Sequence, residues 1–290
     1  MTQIAANALI SAASYLLIGI SFSLIYTPSR FFNFSHAAMI TLAPYTTYAL
    51  SVWMGIPTSI AIFGGVLSSM LVAGAIELGV YRPMREKQVS ANILMLISLG
   101  IYITLQAIIA LVFGSSALFL NNSNDVGRLL FGARLTNIQI LLVFGSLIGC
   151  WLSWILLHRT VIGRQIRAIG ADHELASIRG VDHDKTTLVA TFIGSGLAGS
   201  CGILLAYDTN LTPFFGFQLY LGGVVAVIVG GVGSIPGIAL GAFLLGSVQH
   251  AIAWWISSAW QDTFVYGTLF LFLVVRPQGF LGSASRRGAI

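Results

Sequence analysis

The sequence predicts an all-α, polytopic membrane protein with eight or nine transmembrane helices, two of them broken, and a further helix in a cytoplasmic loop. Three observations carry this expectation. Of 290 residues, 57% are apolar and only 8% charged, whereas soluble domains run near a quarter charged. That excludes a water-facing globule, and the same numbers exclude disorder. Tracts free of Asp, Glu, Lys and Arg run from Phe31 to Ile76, Gln88 to Asn124, Leu135 to His158, Thr186 to Tyr207 and Thr209 to Gln261, and a span needs about 20 apolar residues. The basic residues, finally, fall almost entirely to one side of those tracts.

Spans are expected near 5–27, 37–53, 58–80, 92–113, 137–157, 187–207, 219–230, 238–257 and 262–275, with 219–230 too short to cross comfortably. In that alternation Arg30, the 81–91 loop (Arg82, Arg85, Lys87), the 158–187 loop (Arg159, Arg164, Arg167, Arg179, Lys185) and the tail (Arg276, Arg286, Arg287) share one side, leaving Arg128 and Arg134 on the other. Cytoplasmic loops concentrate Lys and Arg, so the N-terminus is placed outside and the C-terminus in the cytoplasm. No basic residue precedes the first span, which therefore reads as a retained helix rather than a cleaved signal. Residues 1–290 form one transmembrane domain. The formal charge of +5 reports loop orientation and not a nucleic-acid partner. Cys150 and Cys201 lie in apolar runs as small hydrophobes, with no spacing for a metal; no cofactor or metal is expected.

Two apolar tracts are interrupted, the first over Thr27–His36 and the second over Gly230–Gly237. Pro and clustered Gly free backbone polar groups, which membranes tolerate only against protein or a watery cavity. Asn33 or Ser35 can cap the helix after the first break; Ser234, with Pro236 in the opening turn, can cap the helix after the second. Helix N-termini carry partial positive charge and spare N–H donors. Asn33, Ser35, His36, Gly230, Gly231, Gly233, Ser234, Pro236 and Gly237 are therefore the candidate substrate-pathway residues. Gly233, Gly237 and Gly241 fall four apart, which suits close helix packing.

The 158–187 loop mixes five basic residues with Asp172, Glu174, Asp182 and Asp184. Gly163 to Arg179 reads as one short surface helix with Ile162, Ile166, Ile169, His173 and Ala176 on a stripe, ended by Gly180. An amphipathic helix of mixed charge wants a groove. A partner fits better than the membrane surface or the chain itself.

At these residues the chain resembles a known family. Glu174-Leu175-Ala176-Ser177-Ile178-Arg179-Gly180 resembles the loop of ATP-binding-cassette importer permeases. Asn33-Phe34-Ser35-His36, Tyr81-Arg82-Pro83-Met84-Arg85, Ile162 to Ala168 leading to Gly180-Val181-Asp182, and Gly230 to Gly237 resemble, in order, the LivH-type permease of branched-chain amino-acid importers, as does Pro277 to Gly282. The resemblance implies a multi-pass inner-membrane permease completed by two cytoplasmic ATPases, a second copy or related permease, and an external solute-binding protein. Arg164, Arg167, Asp172, Glu174, Ala176 and Gly180 become the ATPase-coupling candidates. One departure stands out: the family usually has Gly-Glu after its histidine, where this chain has Ala37-Ala38. The solute is thus a branched-chain amino acid or a related small polar molecule, with urea or short amides as alternatives.

Among single residues, Glu77 is expected to pair with Arg82 or Arg85, and His36 to bond backbone or meet solute. Asp208 and Asp262 lie at outer helix ends, and Trp53, Trp254, Trp255 and Trp260 near span ends. An ion-coupled carrier is the competing function, yet 31–76 and 209–261 hold no ionisable Asp, Glu, Lys or Arg for coupling. An enzyme would need a nucleophile with its base, and adjacent Ser35-His36 is poor geometry for one. No Walker-type glycine loop is present, so an ATPase must be another polypeptide.

Overall fold

In the computed structural model, which describes residues 1–120, 127–130, 132–276 and 278–281, one helix is wrapped by the others. This is α1 (Thr2–Ser29), apolar on every side and buried over most of its length, as a helix with no polar face must be. Its hydroxyls are satisfied locally: Ser14, Ser21, Thr27 and Ser29 each donate to a carbonyl three or four residues back, at 2.7–3.1 Å. The break expected over Thr27–His36 is narrower, lying between Ser29 and Ser35. Pro28 sits inside the last turn of α1, which stops only at Arg30, held in a left-handed conformation (φ 57°). Pro28 lacks the N–H that would donate to the Leu24 carbonyl, so one intrahelical bond is forgone in that turn.

Around α1 stand α2 (Ser35–Tyr48, continued by a π-helical turn at Ala49–Trp53), α3 (Thr58–Ile76, continued by a π-helical turn at Glu77–Tyr81 into α4, Arg82–Glu86), α5 (Ala91–Phe113), α6 (Asn137–Arg159), α9 (His183–Asp208), α10 (Phe215–Gly230), α11 (Ile235–Trp255) and α12 (Gln261–Val275). Between α6 and α9 lie α7 (Val161–Ala171) and α8 (His173–Ile178). Seven of the described helices are long and apolar enough to cross a bilayer; α2 at 14 residues and α10 at 16 are shorter. The structure thus shows an all-α multi-pass chain with seven span-length helices. One feature was absent from the sequence reading, a small antiparallel hairpin of β1 (Arg128–Leu130) and β2 (Ala133–Leu135). Gln3 and Thr2 bond its backbone at Arg134 and Gly132, so the start of α1 lies at the hairpin end of the molecule.

Glycine sets the closest approaches. Gly230 of α10 and Gly237 of α11 face each other so tightly that a Cβ on either would meet the other's carbonyl, and a Cβ on Gly241 would strike the Ala226 carbonyl. Gly233 departs from that packing reading. It turns between the helices at φ +82°, where an added Cβ would meet nothing within 4 Å.

The single surface helix expected over 163–179 is two helices. Asp172 ends α7, and its carboxylate then caps α8 by accepting the Leu175 N–H at 3.0 Å. The apolar stripe of α7 is also turned inward: Ile166 and Ile169 are buried under α6, α1 and α9. Gly163 permits this, because a Cβ there would strike the Leu156 and Leu157 backbone. The chain itself, and not a partner, covers that face.

Candidate functional site: two helix breaks, an inner cavity and a clamped loop

The first break is tied down from three sides. Asn33 Oδ1 accepts from Ser35 N (3.1 Å), Ser35 Oγ (2.7 Å) and Tyr81 OH (3.0 Å), and Ser35 Oγ lies 2.8 Å from Tyr81 OH. Ser98 Oγ accepts the Phe34 N–H at 3.0 Å, and the Phe31 ring packs edge-on against Tyr81. His36 Nε2 sits 3.0 Å from Ser21 Oγ of α1. Asn33, Ser35 and His36 are all buried; their polar atoms hold the start of α2 to α1 and to the turn after α3, and the Phe34 N–H ties it to α5. Tyr81, Ser98 and Ser21 complete this network. Sequence reading missed their role because they lie on other helices, though Tyr81 opened one of the family-like stretches.

The second break is a tight turn. Ser234 Oγ accepts the Gly237 N–H at 3.2 Å, capping α11 as expected, and the Gly233 N–H reaches Ser23 Oγ of α1 at 3.3 Å. Residues after α12 seal it: Phe280 and Leu281 donate to the Val229 and Gly230 carbonyls at 2.8 and 3.0 Å. Within the last family-like stretch, Pro277 and Gly282 lie outside the described residues, as do Arg286 and Arg287 of the tail.

The second break and, from the first, Arg30 come together around one cavity of about 680 Å³. Ser23, Thr27 and Arg30 line it from the end of α1, Gly233, Ser234 and Pro236 from the second break, His158 from α6 and Arg167 from α7. Of the pathway candidates, Gly233, Ser234 and Pro236 reach this cavity. Asn33, Ser35 and His36 serve the α2 network, and Gly230, Gly231 and Gly237 are buried in backbone packing.

The candidates of the 158–187 loop also divide. Arg164, Glu174 and Gly180 are exposed, with Leu175 and Ile178 of α8 presented beside them. Gly180 ends α8 at φ +79° with open space around it, as a terminal glycine should. Arg167 lines the cavity, Asp172 caps α8 and Ala176 is buried. At the start of α9, Asp182 accepts the Lys185 N–H, and that bond holds its carboxyl below the usual range.

An ionic clamp fastens this loop to the membrane helices. Arg85 Nη2 reaches Glu77 Oε1 at 2.6 Å and Asp184 Oδ1 at 3.0 Å, while Arg82 Nε reaches Asp184 Oδ2 at 3.3 Å and Glu86 Oε1 at 3.1 Å. Of the two partners expected for Glu77, Arg82 and Arg85, the structure selects Arg85; Asp184 as the shared third member was not foreseen. Glu77 occupies the π-helical turn after α3, a geometry that re-aims side chains. At the opposite end, Asp208 accepts from Gln139 at 3.3 Å and so ties α9 to α6.

No cluster of three or more His, Cys, Asp or Glu that could hold a metal exists among the described residues. What these elements offer is a helical scaffold whose second break meets Arg30 around a cavity and whose 158–187 loop is locked to a span. Residues 4–274 match the family model of the branched-chain amino acid transport system permease component. The chain belongs to that family. It is the membrane permease subunit of an ATP-binding-cassette importer and not an enzyme, with ATP hydrolysis on separate subunits. The permease is 29% identical to the high-affinity branched-chain amino acid transport system permease protein LivH of Salmonella typhimurium, over 95% of this chain and 94% of that one. It is 27% identical to the probable branched-chain amino acid transport permease protein LivH of Methanocaldococcus jannaschii, over 95% and 91%. Its fold is similar to that of PsaBC from Streptococcus pneumoniae in complex with Fab, at TM-score 0.53 and 14% identity, covering 97% of this chain and 92% of that one. The family brings ATPase and solute-binding partners and an inner-membrane setting.

Proposed function

We propose that this permease carries branched-chain amino acids, or a closely related small polar solute, inward across the membrane. Its N-terminus would face outward and its C-terminus the cytoplasm. Relatives that cover nearly the whole chain, and whose names specify branched-chain amino acids, support this solute class. Two ATPases, an external solute-binding protein and a second permease, identical or related, complete the assembly. The outward faces of α5 and α12 suit that second permease, since Gly100 and Gly267 leave open space there. In this reading α2 and α10 are partial spans, bringing the count to nine, and the two helix breaks are the parts that move.

The observation that carries the mechanism is the Glu77–Arg85–Asp184 clamp. An ATPase gripping Arg164, Glu174 and Gly180 on the loop would pull α9 and, through Asp184 and Arg85, the inner end of α3. Because Tyr81 lies in the same π-helical turn as Glu77 and bonds Asn33 and Ser35, such a pull reaches the first break directly.

Replacing Gly180 tests this reading. Gly180→Trp should abolish ATP-dependent uptake while the permease still accumulates, because the indole occupies the space the ATPase needs. Gly180→Asn tolerates a left-handed backbone and should keep most uptake. Normal uptake by Gly180→Trp would refute coupling through this loop. Solute accumulation by the permease alone, driven by an ion gradient, would refute the importer mechanism as a whole.

A further inference from the structure

The cavity at the second break has a composition that solute passage does not require. Its charged or chargeable lining groups are Arg30, Arg167 and His158, and no carboxylate is among them. Among the described residues none of the three takes an Asp or Glu within ion-pair distance. The Arg30 guanidinium is steadied by the Gly170 carbonyl, and the His158 Nδ1 by the Trp154 carbonyl. Ser234 places the N-terminal end of α11, with its partial positive charge, on the same wall. The rest of the lining mixes the hydroxyls of Ser23, Tyr26 and Thr27 with an apolar wall, whose exposed members are Val232 and Leu281.

Depth fixes what such a cavity suits. It lies where α1 and α6 end and α11 begins, level with the boundary of the membrane-spanning segments. Beside it the outward faces of α6 and α11 present Trp151, Leu152, Leu240 and Phe243, all exposed. Cationic groups at that boundary with apolar surface beneath match an amphiphile with an anionic head. Basic pockets between membrane helices recognise phosphate head groups in this way. A zwitterionic amino acid fits less well, because its ammonium would enter a cavity holding two arginines and no carboxylate. A free phosphate would leave the apolar wall and most of the 680 Å³ unused.

We propose that this cavity seats an anionic phospholipid from the adjoining leaflet, its phosphate between Arg30 and Arg167 and its acyl chain against the exposed Val232 and Leu281. A lipid there bridges α1, α7 and the second break, and so stabilises their present arrangement. This inference stands apart from the identity of the solute.

The experiment uses the full-length permease in a neutral detergent, stripped of lipid and titrated while its melting temperature is followed. Short-chain phosphatidylglycerol should raise that temperature saturably. Phosphatidylcholine of the same chains, inorganic phosphate and L-leucine should not. Arg30→Gln combined with Arg167→Gln should weaken phosphatidylglycerol binding tenfold or more. Arg164→Gln, on the same helix but outside the cavity, should leave it unchanged, and Arg167→Lys should retain most of it. Equal shifts from both lipids, a full shift from phosphate alone, or displacement of the lipid by leucine would each overturn the proposal. If the double variant does not accumulate, native mass spectrometry of Arg167→Gln decides instead. Phosphatidylglycerol retained at the wild-type level would overturn the proposal, and its loss would support it.

Discussion

Arg85→Met removes the cation paired with Glu77, whose side chain is 3% exposed and 2.6 Å from the guanidinium. The orphaned carboxylate has little water to turn to, so the loss should be about 3–5 kcal/mol, typical of removing one partner from a buried pair. Asp184 is 29% exposed, and solvent screening limits Asp184→Asn to about 0–1 kcal/mol. Removing both charges, Glu77→Gln with Arg85→Met, should restore most of the loss, because a buried pair as a unit contributes little net stability. Arg85→Lys should fall between wild type and Arg85→Met. A single nitrogen, Nη2, makes both contacts, while Nε and Nη1 are buried without partners, so an ammonium can replace what is used. Reversible unfolding of the reconstituted permease, run as a double-mutant cycle, measures these terms. Arg85→Met should melt on the order of 10 °C lower, at about 2–4 °C per kcal/mol. A loss below about 1 kcal/mol, or a double variant as unstable as the sum of its singles, would refute the clamp.

Other expectations follow from packing and hydrogen bonding. Tyr81→Phe strips the hydroxyl from a buried network with Asn33 and Ser35 and should cost about 1–3 kcal/mol, read as a lowered melting temperature. Gly241→Val should prevent α11 from reaching the Ala226 carbonyl; the permease should fail to accumulate, whereas a valine at exposed Gly79 should be tolerated. Ala38→Glu restores the acidic residue usual in the resembling family. Yet Ala38 is 1% exposed, so a carboxylate there should lower accumulation and not change solute preference, as comparing expression with labelled-amino-acid uptake will show.

The residues differ in how far they announced themselves. The spans, the capping role of Ser234 and the terminal role of Gly180 follow from local rules, because apolar length, a hydroxyl before a helix and a glycine after one act within a few residues. The Glu77–Arg85 pair was legible for the same reason: both groups lie at one helix end. Asp184 was not, since 99 positions separate it from Arg85. Tyr81 and Ser98 were equally hidden as partners of the first break. The reading of α7 went wrong for an instructive reason: periodicity shows that a stripe will be buried and is silent on which surface buries it.

Composition alone determined that this chain lives in a membrane and, with its motifs, that it resembles an importer permease, because desolvating polar groups in lipid leaves few other architectures. Which helix stands at the centre was decided by packing, through glycines that let backbones meet. That Arg30 and the second break share a cavity, and that the 158–187 loop is bolted to the turn after α3 through Arg85, depended on distances between remote segments, which only the folded chain defines.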